Sequence, residues 1–176
     1  MADVGVRDAT LSDTAAVAEI QVRAWKAAYR PFMPAEPLAE MTASAEPWRE
    51  RWAEAVTAPP SPRHRLLVAV ADGLVTGFAA FAPASDPDLL PEEDAELIAL
   101  AVDPGRAREG HGSRLLAAVA DLLREHSFRT AVTWVFTEDA ALRSFLEPSG
   151  WAPDGARRTL ELERPVEMVR LHTSLA

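Results

Sequence analysis

The sequence predicts an α/β (α+β) fold in which one mixed β-sheet of about seven strands carries helices on both faces. Three observations lead there. Two apolar runs, "HRLLVAVA" and "LVTGFAAFAP", flank Asp72-Gly73, the strongest short-range signal for a β-hairpin. A further apolar run, "LIALAV" (97–102), leads through Gly110 and Gly112 into an amphipathic segment and then into "TAVTWVF" (130–136). A hairpin meander followed by such a strand–helix–strand crossover implies a mixed sheet. Finally, the 176 residues show no internal repeat or low-complexity tract, which predicts one domain, 1–176, long enough to bury a real core.

Each element has its own local reason. "VGVRDAT" (4–10) is short, β-branched and alternating, a first strand. "TLSDTAAVAEIQVRAWKAAYR" opens on the capping residues Thr10 and Ser12, and Val17, Ile20, Ala24, Trp25 and Ala28 recur on one helical face. Pro31 and Pro34 stop that helix. "AEPLAEM" and "EPWRERWAEAV" form one or two short helices, with Trp48 and Trp52 four apart on one side. "APPSPR" (58–63) breaks the chain before the hairpin. The acidic loop "SDPDLLPEEDAE" leads into 97–102, whose unbroken apolar character predicts a strand buried on both faces. Leu115, Leu116, Val119, Leu122 and Leu123 then recur at helical spacing. "DAALRSFLE" is a short helix ended by Pro148 and Gly150. "RRTLELE" and "EMVRLHTSL" are the last two strands, joined around Pro165.

Composition narrows the function classes. With no cysteine, thiol catalysis, disulfides and thiolate metal sites are excluded, and four scattered histidines without ligand spacing predict no metal centre. A formal charge of -9 and the lack of a long basic stripe argue against nucleic acid. No apolar run approaches the roughly 20 residues of a membrane span. The N-terminus "MADVGVRDAT" has neither a basic leader nor an apolar core, so a cytoplasmic protein is expected.

Against that acidic background, the stretch from Pro104 to Leu115, where the helix begins, concentrates Arg106, Arg108 and Arg114 against the single carboxylate of Glu109. A helix N-terminus offers unpaired N–H groups and a partial positive charge, and Gly110 and Gly112 let the backbone approach an anion closely. The turn is therefore built to hold phosphate. It is not a P-loop, because Gly112 is followed by Ser113-Arg114 and not by Lys-Ser/Thr; nor is it a dinucleotide fingerprint, because Leu115 stands where the third glycine belongs.

In context, "LIALAVDPGRAREGHGSRLL" resembles the central motif of the GCN5-related N-acetyltransferases (the GNAT superfamily), a strand ending in Val-x-Pro followed by an (Arg/Gln)-x-x-Gly-x-(Gly/Ala) turn and a helix. "VRDATLSD", "VRAWKAAYRPFMP", "DGLVTGFAAF" and "EDAALRSFLEPSGW" resemble further family segments in the family's order, so the likeness covers nearly the whole chain. The resemblance implies splayed fourth and fifth strands with acetyl-CoA in the gap. The turn from Arg108 to Ser113 (Arg108, Glu109, Gly110, His111, Gly112, Ser113) would wrap the pyrophosphate, and Leu100, Ala101 and Val102 would pair with the pantetheine arm. Acetyl would pass to a primary amine by direct attack in a ternary complex, without a metal. A homodimer through the terminal strands is implied by the same analogy.

Two positions depart from the pattern. Ala107 stands where Arg or Gln is expected, leaving Arg106 or Arg108 to substitute, and Leu146 stands where a tyrosine often protonates the departing thiolate. Asp139 replaces the usual asparagine of that segment and is carried over as a cofactor-side residue. A thiol of pKa roughly 8.5 can leave near neutral pH with little help, so an active enzyme survives the loss. Tyr29 and Ser144 are the candidate donors, and Glu96 is the candidate base or water relay. The acidic loop would attract a cationic acceptor. The rival expectation is a non-catalytic acyl-CoA-binding sensor or accessory protein that keeps the fold.

Overall fold

The computed structural model describes residues 3–176. Strand β1 (Val4–Asp8) leads through a 3₁₀ turn into helix α1 (Thr14–Tyr29). The junction is held by one carboxylate: Asp13 accepts from the Thr10 amide at 2.7 Å and from Arg7 at 2.7 Å. Pro31 and Pro34 follow the end of α1 at Tyr29. The next segment forms two helices, α2 (Ala35–Met41) and α3 (Glu46–Thr57). Trp48 Nε1 donates to the Met41 carbonyl at 3.0 Å and Trp52 Nε1 to Gln21 Oε1 at 2.6 Å, so the two indoles tie α3 to its neighbours.

The hairpin of β2 (Arg65–Ala71) and β3 (Leu74–Pro83) turns at Asp72 and Gly73, whose φ values of 52° and 78° are the paired positive angles of a type I′ turn. β4 (Asp94–Val102), α4 (His111–Glu125) and β5 (Thr130–Phe136) make the crossover. α5 (Ala140–Leu146), β6 (Ala152–Leu162) and β7 (Arg164–Ser174) complete the described chain. The sheet runs in the order β1-β2-β3-β4-β5-β7-β6, with β4 and β5 parallel and the other neighbours antiparallel. The mixed sheet expected from the sequence is thus observed.

The two-residue strand period divides the core. From β2, Leu67 and Ala69 join Leu115, Val119 and Leu123 of α4, while Leu66 and Val68 join Val17 and Ile20 of α1 on the opposite face. A third cluster packs Phe32, Met33 and Leu38 against Phe136, Val166 and Met168. Among the described residues, no helix is long and apolar enough to cross a membrane.

Three expectations about elements change. β4 is not buried on both faces: Ile98 is 53% exposed and Ala99 to Val102 are half-buried, because this part of the strand borders a cleft. The buried face of α1 ends at Gln21, beyond which Trp25 and Tyr29 line that cleft and Ala28 is exposed. The last two strands turn at Glu163, φ 60°, and Pro165 lies within β7. Proline is tolerated there because β5 pairs with β7 only from Met168 onward, leaving one neighbour strand at Pro165.

Candidate active site

The site begins where a ladder stops. β4 and β5 pair at Asp94–Thr130, Ala95–Ala131 and Glu96–Val132, and then part. At the neck, Thr133 Oγ1 donates to the Leu97 carbonyl at 2.8 Å. The cause of the parting is visible on the other edge of β4. Ala80 pairs with Ala99 and Phe81 with Leu97, which leaves Ile98 as an extra residue in a β-bulge. A bulge bends its strand and raises the local twist. The edge of β4 that faced β5 therefore has no ladder partner past Glu96, and its main-chain groups are available to a ligand.

The C-terminal end of β4 runs directly into the arginine-rich turn. The Asp103 carboxylate accepts from the Gly105 amide at 3.1 Å and from Arg23 at 2.9 Å, which fixes the start of the turn. Gly110 caps α4 with φ 85°, and Arg108 also has positive φ, 65°. Arg114 folds back over the turn. Its Nη2 donates to the Glu109 carbonyl at 3.1 Å and to His111 Nδ1 at 2.7 Å, so the ring proton of His111 sits on Nε2. His111 is only 2% exposed, yet its Nε2 has no hydrogen-bond partner, with Glu109 Oε1 3.6 Å away; Arg114 Nε is likewise unpartnered. Buried donors left unmade are costly, typically about 1–3 kcal/mol each. Two such donors beside a helix N-terminus suit an anion.

A cleft of about 390 Å³ opens here, lined by residues 100–102 of β4, by Arg106 to Arg108, by 110–113 of α4, and by Leu142 and Phe145 of α5. Arg106 and Arg108 flank Ala107 in this wall. Gly112 has a packing reason as well: a Cβ there would lie 3.3 Å from Phe145 Cζ and 3.6 Å from Val102 Cγ2.

On the far side of Leu100, Ala101 and Leu142, which line both, lies a second cleft of about 250 Å³. Its walls include Trp25 and Tyr29 from α1, Glu96, Trp134 and Phe136 from the parting strands, and Arg158 from β6. Burial pushes the Glu96 carboxyl above its ordinary value and nearby Asp86 adds to this, while Arg158 and Arg170 pull it back. Tyr29 packs edge-on against Phe136, ring centroids 4.9 Å apart. Burial and then the charge of Asp139 raise its phenol far above its ordinary value.

The remaining predicted residues separate. Asp139 is buried and caps α5, accepting from the Leu142 amide at 3.2 Å; it does not line either cleft. Ser144 is exposed on α5 and lines neither cleft. Glu109 turns its carboxylate toward Arg106, at 3.4 Å. Leu146 is buried at the wall of the second cleft, as a core residue. Sequence reasoning missed Arg170. Buried in β7, it holds Asp86 at 2.8 Å, Asp88 at 2.6 Å and Asp154 at 2.6 Å, and Asp86 also accepts from Trp134 Nε1 at 3.0 Å. An arginine inside the apolar run "EMVRLHTSL" was the available signal, because a buried guanidinium must find carboxylates. Arg158 gave no comparable signal, since "RRTLELE" reads as an ordinary solvated strand face.

The model of the Acetyltransferase (GNAT) family matches residues 21–151. The uncharacterized N-acetyltransferase YuaI of Bacillus subtilis is 28% identical over 141 residues, covering 79% of this chain and 75% of that protein. The PaiA N-acetyltransferase of Thermoplasma acidophilum, solved in complex with coenzyme A, superposes with a TM-score of 0.77 at 17% identity, covering 98% of this chain and 99% of the other. The YncA structure from Salmonella typhimurium, solved with its cofactor acetyl-CoA, gives a TM-score of 0.74 at 21% identity, covering 99% and 95% of the two chains.

Proposed function

Because the chain belongs to the acetyltransferase (GNAT) family, we propose that it is an N-acetyltransferase, using acetyl-CoA to acetylate a primary amine of a small molecule or peptide by direct attack in a ternary complex. The observation that carries this reading is the placement of two clefts back to back across Leu100, Ala101 and Leu142, beside the gap where β4 and β5 part. One is cationic and rich in free amides; the other holds a desolvated carboxylate. Residues 1–176 act as one domain in this reading.

The residues fit the co-substrate at three places. The amides of 110–113, with His111 Nε2 and the arginines of the turn, would hold the pyrophosphate. The free edge of Leu100, Ala101 and Val102 would pair with the pantetheine arm, and an N–H near Ala101 or Val102 would polarise the thioester carbonyl. Glu96, directly or through a water, would take the proton that an alkylammonium of pKa about 10 must lose before its nitrogen can attack. The amine nitrogen then bonds to the acetyl carbon, the carbon–sulfur bond breaks and the thiolate departs, and the nitrogen gives up its second proton to solvent as the amide forms. The thiolate takes its proton from solvent, since Leu146 cannot supply one.

The test is release of free thiol from acetyl-CoA with a panel of amines that includes N-terminal peptides. Release that depends on the amine and falls in Glu96→Gln supports the reading; no release with any amine contradicts it. The burial of Leu146 and the outward placement of Ser144 favour one second reading, a non-catalytic acyl-CoA sensor. Tight coenzyme A binding without turnover, indifferent to Glu96→Gln, is the result that would select it.

A further inference from the structure

The acceptor half of the cleft has two charged residues among its described lining, Glu96 and Arg158. Their environments differ from those of the charges around them. Arg170 draws together Asp86, Asp88 and Asp154, so two carboxylates of the acidic loop are paired with it, Asp86 largely buried and Asp88 exposed. That removes much of the attraction for a cationic acceptor expected from the loop's composition. Arg158, on the neighbouring strand, receives none of these carboxylates.

Its side chain is nevertheless positioned. The guanidinium lies over the Trp134 ring, 4.4 Å from its centroid, and Nε faces Met168 Sδ at 3.4 Å. Trp134 is held in turn by Asp86 through its indole N–H. Among the described residues, no carboxylate pairs with Arg158 within 4.0 Å. A planar fork with both terminal nitrogens free, stacked on a fixed ring and lining a cleft, matches a planar anion in two parallel hydrogen bonds. The charge of Arg158 also reaches Glu96.

We propose that Arg158 binds a carboxylate of the acceptor while Glu96 faces its amine, so that the acceptor is zwitterionic: a free amino acid or an amine bearing a carboxylate within one small molecule. This deepens the N-acetyltransferase reading and rests on it. Arg158 is a specificity residue here, touching substrate and not the reacting atoms.

The experiment compares free amino acids with their carboxamides, which keep the amine and lose the anion. Wild type should acetylate at least one acid with kcat/KM ten-fold or more above its amide, the difference lying mainly in KM. Arg158→Gln should bring that ratio close to unity, and Arg158→Lys should restore part of it. Amides used as well as acids by wild type, or a preference that survives Arg158→Gln, would overturn the inference and leave N-acetyl transfer standing. Should no amine of either set be acetylated, the transfer reading fails instead, and calorimetry with coenzyme A present decides the subsite. Acids that bind where amides do not, with binding lost in Arg158→Gln, support it; acids that give no heat overturn it.

Discussion

Glu96 of β4 stands opposite Val132 of β5, and that pair is the last rung of the parallel ladder before the two strands part. The carboxylate is thereby fixed at the mouth of the gap, on backbone held by a sheet and not by a loop. A proton acceptor placed at that fork can serve an amine entering from one side and an acyl group entering from the other.

Replacing Glu96 with Gln should lower kcat by about a hundred-fold or more, within the range a general base supplies. Because burial raises the Glu96 carboxyl above its ordinary value of 4.5, kcat/KM in wild type should climb with pH through that raised value, and the variant should lose this limb. The stability consequence has the opposite sign. The folded state favours the protonated acid, so the contribution is complete below 4.5 and is lost as pH rises through the raised value. A pH series of kcat/KM beside a pH series of unfolding midpoints checks both directions.

Arg170→Met should destabilise the fold by at least about 2 kcal/mol, since breaking a buried pair strands its partners. Asp86 and Asp154 keep 18% and 14% of their side-chain surface, so both lose a partner they cannot easily replace with water. Trp134 would also lose the anchor that Asp86 gives it. Denaturant unfolding measures the first effect, and quenching of tryptophan fluorescence by acrylamide should increase if the indole is freed.

Gly77→Ala should cost about 1–3 kcal/mol, the range of overpacking in a filled core. A Cβ at Gly77 would sit 2.8 Å from the Ala101 carbonyl oxygen and 3.2 Å from Leu115 Cδ1, and a backbone oxygen cannot step aside cheaply. Ala101 lines both clefts, so coenzyme affinity should fall together with the unfolding temperature. A variant as stable as wild type would show that β3 and β4 have more freedom than this contact allows.

Much of the fold could be read from local signals. Asp72-Gly73 announced its hairpin, the Leu115–Leu123 period its helix, and Gly110 the turn that caps it, because each depends on residues a few positions apart. What stayed hidden depends on separation. Arg170 meets Asp86 and Asp88 only once β7 lies in the sheet beside β5, and Arg158 reaches the second cleft only across the β6–β7 hairpin. The half-exposure of β4 was illegible for another reason: an apolar run looks the same whether a strand or a ligand is to cover it. Tyr29 and Ser144 were equivalent as hydroxyls in the sequence, and only the packing of α1 and α5 puts one at the cleft and the other in solvent.

The grip of the turn before α4 on a diphosphate is tested most directly by titration calorimetry of coenzyme A into wild type and Gly112→Val, with unfolding midpoints measured beside it. The Phe145 ring tip can yield to the new side chain, so the variant should fold, while its methyl groups occupy the cleft. We expect one-site binding in wild type and a loss of about ten-fold or more in the variant, about 1.4 kcal/mol at least. No binding by wild type, or equal affinity in a folded variant, would contradict it.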